Sequence, residues 1–161
     1  MSTPIKGELG ILYVHDGTIY RPIACLTSNS FSPSVSVIES NTKCDPGVTI
    51  KQAGIFTYTL EAEGEYIDTT SVGGEITKAS HDFLFTKMVA KLPIVWKLDT
   101  GVTGVIYYGN AIITDLPLDQ GAGDELSTFS ITLEGSGAVA TVDPEAWISV
   151  FTQPFTNQFG L

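Results

Sequence analysis

Apolar and polar residues alternate with period two in several short runs of this chain, and follow the helical period in one. The helical run spans 77–93. There His81, Leu84, Phe85, Met88, Val89 and Leu92 fall on one stripe, with Lys78, Lys87 and Lys91 off it. Thr77 or Ser80 can cap the start, Asp82 suits the positive end, and Lys87 and Lys91 suit the negative end. Pro93 lacks an amide hydrogen and is expected to stop the helix. A single apolar stripe needs a flat surface to lie on, and the strands on either side are the natural one.

Those strands are read in order. Residues 9–14 and 18–26 flank Asp16-Gly17 and form an N-terminal hairpin. Ser28, Asn29 and Ser30 read as a break, after which 34–37 alternates like a half-buried strand. The polar, turn-rich stretch 40–48 is expected to be a long mobile loop. The clearest strand is 55–63. Phe56, Tyr58, Leu60 and Ala62 take one face; Thr57, Thr59, Glu61 and Glu63 take the other. Beyond the helix, 94–98 is a strand centred on Trp96. Residues 105–114 form an apolar strand interrupted by Gly109, where a bulge or a close backbone approach is expected. The stretch 116–124 reads as a flexible connection. Then 125–134 alternates again, with Phe129, Ile131 and Leu133 opposite Thr128, Ser130, Thr132 and Glu134. Gly135-Ser136-Gly137 reads as a turn into a last strand near 138–142. The extension 143–161 carries Trp147, Phe151, Phe155 and Phe159 about four residues apart. It is either a short helix over the core edge or an extended tail docked on a neighbouring subunit; Pro154 favours extension after Thr152.

At 161 residues the chain suits one domain, 1–161, with a core that needs no staples. With 43% hydrophobic and 16% charged residues it is ordered and sparsely charged. No apolar run approaches the ~20 residues that span a bilayer, and the first residues lack signal-peptide character, so no membrane partner is expected. Cys25 and Cys44 are read as free thiols. The net charge of −10 is uneven. Up to Leu98 ten acidic residues oppose eight basic ones; from Asp99 onward there are eight acidic residues and no Lys or Arg. Such a surface repels nucleic-acid phosphates, because affinity for them comes from cations. The bland reading of this acidity is solubility.

Candidate chemistry is sparse. His81 belongs to the helix as a packed side chain, and His15 sits by a turn. Gly135-Ser136-Gly137 has no neighbouring base, the cysteines have no Cys-x-x-Cys partner, and Gly121-Ala122-Gly123 lacks the rest of a dinucleotide loop. Asp119, Asp124 and Glu125 do not match a calcium-loop spacing. Glu61, Glu63 and Glu65 share a strand face without forming an acid–base pair. No catalytic residue, metal or cofactor is expected. The residues by themselves give an acidic β domain with one helix, an assembly or binding module.

Two stretches add a resemblance. In 36–67, Ile38, Ser40 and Thr42 close a strand and open a polar loop; Gly54, Leu60, Glu63 and Gly64 mark the next strand. In 107–137, Tyr108-Gly109-Asn110-Ala111 leads to a loop, then to Phe129 through Gly135 and Gly137. In this order the chain, from about 7 to 142, resembles the major tail tube proteins of long-tailed bacteriophages. The aromatic end has no counterpart in that resemblance.

The resemblance implies a mainly β fold, a β-sandwich or partial barrel with one flanking α-helix, that forms rings. It implies homohexameric rings stacked into a hollow tube in the virion tail, built in the host cytoplasm. Tape-measure, baseplate and tail-terminator proteins are the implied partners, and DNA passes through the lumen without specific binding. The lumen-lining residues are expected from the alternation: Thr57, Thr59, Glu61, Glu63, Ser130, Thr132 and Glu134. Any of them could equally sit on an ordinary solvated face. The loop of Asn41, Thr42, Lys43, Cys44, Asp45, Pro46, Gly47 and Val48 is expected to order between stacked rings. Two alternatives stand beside this reading. One is the inner tube of a contractile injection device; the other is a carbohydrate-binding β-sandwich using Tyr107, Tyr108, Trp96 and Trp147.

Overall fold

The computed structural model describes residues 4–41, 47–72 and 74–144. After a short 3-10 turn at Gly7–Leu9 come β1 (Ile11–His15), β2 (Tyr20–Pro22), β3 (Leu26–Ser40) and β4 (Ile50–Glu65). Helix α1 (His81–Val89) follows, and then β5 (Ile94–Asp99), β6 (Ile106–Asp115), β7 (Leu118–Asp119) and β8 (Thr128–Ala140). The strands form one sheet in the order β2-β1-β5-β6-β8-β4-β3, with β7 paired to β8. Every strand pair is antiparallel. The sheet curls until its two ends approach: the Asn29 side-chain amide on β3 donates to the Gly10 carbonyl just before β1, at 2.9 Å.

The alternation read from the sequence sets which side is buried. Tyr58, Leu60 and Ala62 of β4 face Phe129, Ile131 and Leu133 of β8 inside the curl, together with Leu12, Val14, Ile94, Trp96, Ala111 and Ile113. Gly109 makes the expected close approach. A Cβ there would lie 2.7 Å from the Tyr58 hydroxyl and 2.8 Å from the Trp96 ring, and the β6–β8 register shifts at the same place.

The helix is shorter than the pattern 77–93. Its start is delayed because the backbone of Ala79 is engaged elsewhere: its amide donates to Pro22 at 2.9 Å, and its carbonyl accepts from Ala24 at 2.8 Å. A residue bridged to a strand on both sides cannot join a helix. Ser80 occupies the N-cap position, but its side chain makes no capping hydrogen bond. The end comes before Pro93. Lys91 takes a left-handed φ of 54°, its amide donates to Met88, and the Leu92 amide reaches back to Lys87. This is the Schellman arrangement, with lysine in the position glycine usually fills.

The stripe also divides. Of its residues Leu84 is fully buried and Met88 packs on the core, as does Phe83 from outside the stripe, whereas Phe85, Val89 and Leu92 face outward.

Three connections differ from the sequence reading. Ser28, Asn29 and Ser30 do not break the chain; β3 runs through them, with Asn29 opposite Ala62. Gly135-Ser136-Gly137 is no turn, because β8 continues to Ala140 with Gly135 opposite Ala111 and Ser136 opposite Asn110. The connection 116–124 holds the short strand β7. In the first two cases pairing with long neighbours overrode local turn propensity.

Candidate functional site: a hydroxyl and carboxylate face

Residues directly opposite on antiparallel strands share a face. On β4 and β8 the pairs are Thr59 with Glu134, Glu61 with Thr132 and Glu63 with Ser130. Six of the seven residues picked from the alternation therefore meet on one patch, on the side of the sheet away from the core. Thr57 continues it along β4, exposed. Glu61, Glu63 and Glu134 are exposed; Thr59, Ser130 and Thr132 are half-buried. None of the three carboxylates has an ion-pair partner among the described residues.

The patch is wider than the sequence reading made it. On β3, Ser28 pairs with Glu63, Ser30 with Glu61, Ser32 with Thr59 and Ser34 with Thr57. A column of serines thus borders the carboxylates on one flank. On the other flank β6 contributes Ile112 opposite Glu134 and Asp115 opposite Thr132, and the Thr114 hydroxyl donates to the Thr132 carbonyl at 3.3 Å. No lysine or arginine occupies any of these positions. The signal for the serines was in the chain, since Ser28, Ser30, Ser32 and Ser34 recur with period two. Serine and asparagine are also turn formers, which hid it.

Chemically this face is a wall of acceptors and hydroxyls. Successive same-face residues on a strand lie ~7 Å apart, too far for carboxylates to share a proton and near enough for their fields to add. Anionic polymers meet repulsion there and find no cation to hold them.

The loop positions divide. Asn41 is exposed at the end of β3, and Gly47 and Val48 are exposed before β4; Thr42, Lys43, Cys44, Asp45 and Pro46 lie outside the described residues. The loop joins the two strands of a hairpin whose last rung is Ser40 with Ile50. β8 pairs with β4 only from Thr59 onward, so the part from Val37 to Ala53 is a two-stranded arm. Its Val37, Ile38, Val48 and Ile50 are exposed.

Elsewhere the titratable groups are structural. His81 packs edge-on to Tyr66 and Phe129, its Nε2 3.3 Å from the Leu116 carbonyl. The Tyr66 hydroxyl donates to Asp82 at 3.0 Å, and that bond, helped by burial, raises the phenol's pKa. Asp16 accepts backbone amides from Ile19 and Thr18 and pairs with Arg21 at 2.5 Å; these hold its carboxyl at about 2 against partial burial. Arg21 also donates to the Ile76 carbonyl. Two of the proposed sugar-stacking aromatics are unavailable, because Trp96 is fully buried and Tyr108 is 8% exposed. Tyr107 stacks on Phe31 instead. Trp147 lies outside the described residues, as do Phe151, Phe155 and Phe159.

No protein-family model matches the chain, and no curated protein matches it in sequence. Solved structures match it in fold. The tail of an empty gene transfer agent particle, refined with C6 helical symmetry, superposes with a TM-score of 0.67 at 11% identity, covering 86% of this chain and 98% of that one. The SPP1 tail tube gives 0.58 at 12% identity, over 83% and 77%. The sheath–tube complex of the extracellular contractile injection system PVC, in its extended state, gives 0.57 at 14% identity, over 86% and 93%. The chain has the tail-tube fold.

Proposed function

We propose that this tail-tube-like chain is the repeating structural subunit of a phage-type tail tube, and that its hydroxyl and carboxylate face lines the channel. The observation that carries the reading is the patch of Glu61, Glu63, Glu134 and their serine and threonine neighbours, free of lysine and arginine, on the side of the sheet that the core leaves uncovered. In a ring this patch repeats in every subunit. A channel so lined carries phosphates past without binding them, because like charges repel and no counterion-releasing cation is present.

Rings of six are the expected closed form, by likeness to the tail refined with C6 symmetry. Stacking of one ring on the next is a head-to-tail contact and propagates. The β3–β4 arm, with exposed Val37, Ile38, Val48 and Ile50, supplies apolar surface for it, and the loop 41–48 at its tip would order there. Tape-measure, baseplate and terminator proteins are the partners such a tube requires, and the virion tail is its location. No catalysis is assigned to the chain.

Electron microscopy of the purified protein tests the proposal. Stacked rings with a central channel are expected; protein that stays monomeric at all concentrations, with or without tail components, would overturn it. A second reading rests on the likeness to contractile injection tubes and baseplates. There the same channel would carry protein cargo, and a nuclease-resistant DNA filling in the native particle separates the two.

A further inference from the structure

We propose that neighbouring copies of this chain meet head to tail through unlike charges: Lys87 and Lys91 at the end of α1 in one copy, Asp124 and Glu125 in the next. This contact rests on the tube reading, which requires copies to join. A chain of net charge −10 repels its own copies unless cations of one meet carboxylates of another. Most described cations are engaged within the subunit. Lys6, Arg21, Lys51 and Lys78 pair with carboxylates, and Lys97 lies over the Tyr13 and Tyr20 rings. Lys87 and Lys91 have no carboxylate partner among the described residues. Lys87 sits in the last turn of α1 with its amine over the Phe83 ring, and Lys91 is exposed just past the helix end.

The matching carboxylates belong to the other end of the helix. The connection between β6 and β8 is tied there on both sides. Its Leu116 carbonyl lies 3.3 Å from Nε2 of His81, the first residue of α1. Its Ser127 carbonyl accepts from the Tyr66 amide at 2.8 Å, and the Tyr66 hydroxyl donates to Asp82, the second residue of α1. Between these ties Asp124 and Glu125 are exposed, without an ion-pair partner among the described residues.

α1 is nine residues, about 14 Å, long, and no ion pair forms across it. One subunit thus offers two lysines and two carboxylates in separate places, each set open to a partner. Two different, complementary patches make a heterologous contact, which closes into a ring or propagates. An exposed apolar residue accompanies each patch, Val89 at 64% and Leu126 at 70%, so the same contact also removes apolar surface from water.

A charge-exchange pair of variants tests this. Lys87→Glu/Lys91→Glu sets acid against acid in every contact, and Asp124→Lys/Glu125→Lys sets base against base. Each variant alone should need at least about tenfold more protein than wild type to assemble, by sedimentation and electron microscopy. An equimolar mixture should assemble at the wild-type concentration, because alternating copies restore unlike charges; a misfolded variant would not be rescued by mixing. If a double substitution lowers the melting temperature, Lys91→Glu and Glu125→Lys, both at exposed positions outside the helix, repeat the comparison. A variant that assembles alone like wild type would overturn the proposal, as would folded variants whose mixture stays apart. Wild type that never assembles overturns the tube reading and this contact together, whereas wild-type tubes with no rescue in the mixture overturn this contact alone.

Discussion

The ring of Tyr58 lies on the backbone of Gly135. A Cβ on Gly135 would sit 2.3 Å from two of the ring carbons, and the Tyr58 hydroxyl passes on to donate to the Asn110 carbonyl at 2.5 Å. The ring also meets Trp96 and Phe31 edge-on. One aromatic side chain on β4 thus couples β8, β6, β5 and β3, and it can do so because Gly109 and Gly135 leave the space.

Gly135→Ala should therefore lower unfolding stability by about 2–3 kcal/mol, the cost of overpacking a filled core. In a Tyr58→Leu background, which removes the ring, the same substitution should cost less than about 1 kcal/mol, the range of small core adjustments. Urea unfolding of the four proteins in the cycle measures the coupling. Equal costs in both backgrounds would mean that the ring is not what Gly135 accommodates.

Replacing Glu61, Glu63 and Glu134 with lysine should leave the fold intact, since all three side chains are exposed and unpaired among the described residues. Under the channel proposal the triple variant should assemble but eject DNA more slowly, at least tenfold at low salt and less so at high salt, where screening shortens the field to ~3 Å. Potassium-efflux or dye-release kinetics on triggered particles give the rate. A normal rate would count against this face as the channel wall.

Deleting Asn41 through Pro46 shortens only the connection at the tip of the β3–β4 arm. Subunits should remain folded, with an unchanged circular dichroism spectrum and a melting temperature within a few degrees. They should fail to polymerise, or stop at single rings. Tubes of ordinary length by negative-stain microscopy would remove the loop from the stacking contact.

Acid stability should report Asp16. Its carboxyl sits at about 2 in the fold against an ordinary 3.8, chiefly through the Ile19 amide. A folded-state value below the unfolded one stabilises the native state fully above pH ~4, and that contribution is lost as pH falls toward 2. Asp16→Asn should melt lower than wild type at pH 7, with the gap closing between pH 4 and 2. A gap that stays constant across that window would show that ionisation of Asp16 does not contribute.

The sequence by itself determined the parts that depend on period. The alternation at Tyr58, Leu60 and Ala62, and again at Phe129, Ile131 and Leu133, fixed which side of β4 and β8 is buried, because a strand's side chains must alternate. The same rule put Glu61, Glu63 and Glu134 on the open side, and Gly109 announced a crowded backbone. Residues with strong local preferences misled. Ser28 to Ser30 and Gly135 to Gly137 look like turns, yet each lies inside a strand whose ladder of partners outweighs the local preference. Only the tertiary structure decided the register that sets Glu61 against Thr132 and Ser30 against Glu61, joining three separate stretches into one face. It also decided that α1 begins after Ala79 and buries Leu84 while Phe85, Val89 and Leu92 look outward. Both depend on contacts between residues far apart in the chain: the pairing of Ala79 with Ile23, and the curl that brings Asn29 to Gly10. A local pattern carries no information about where such partners lie.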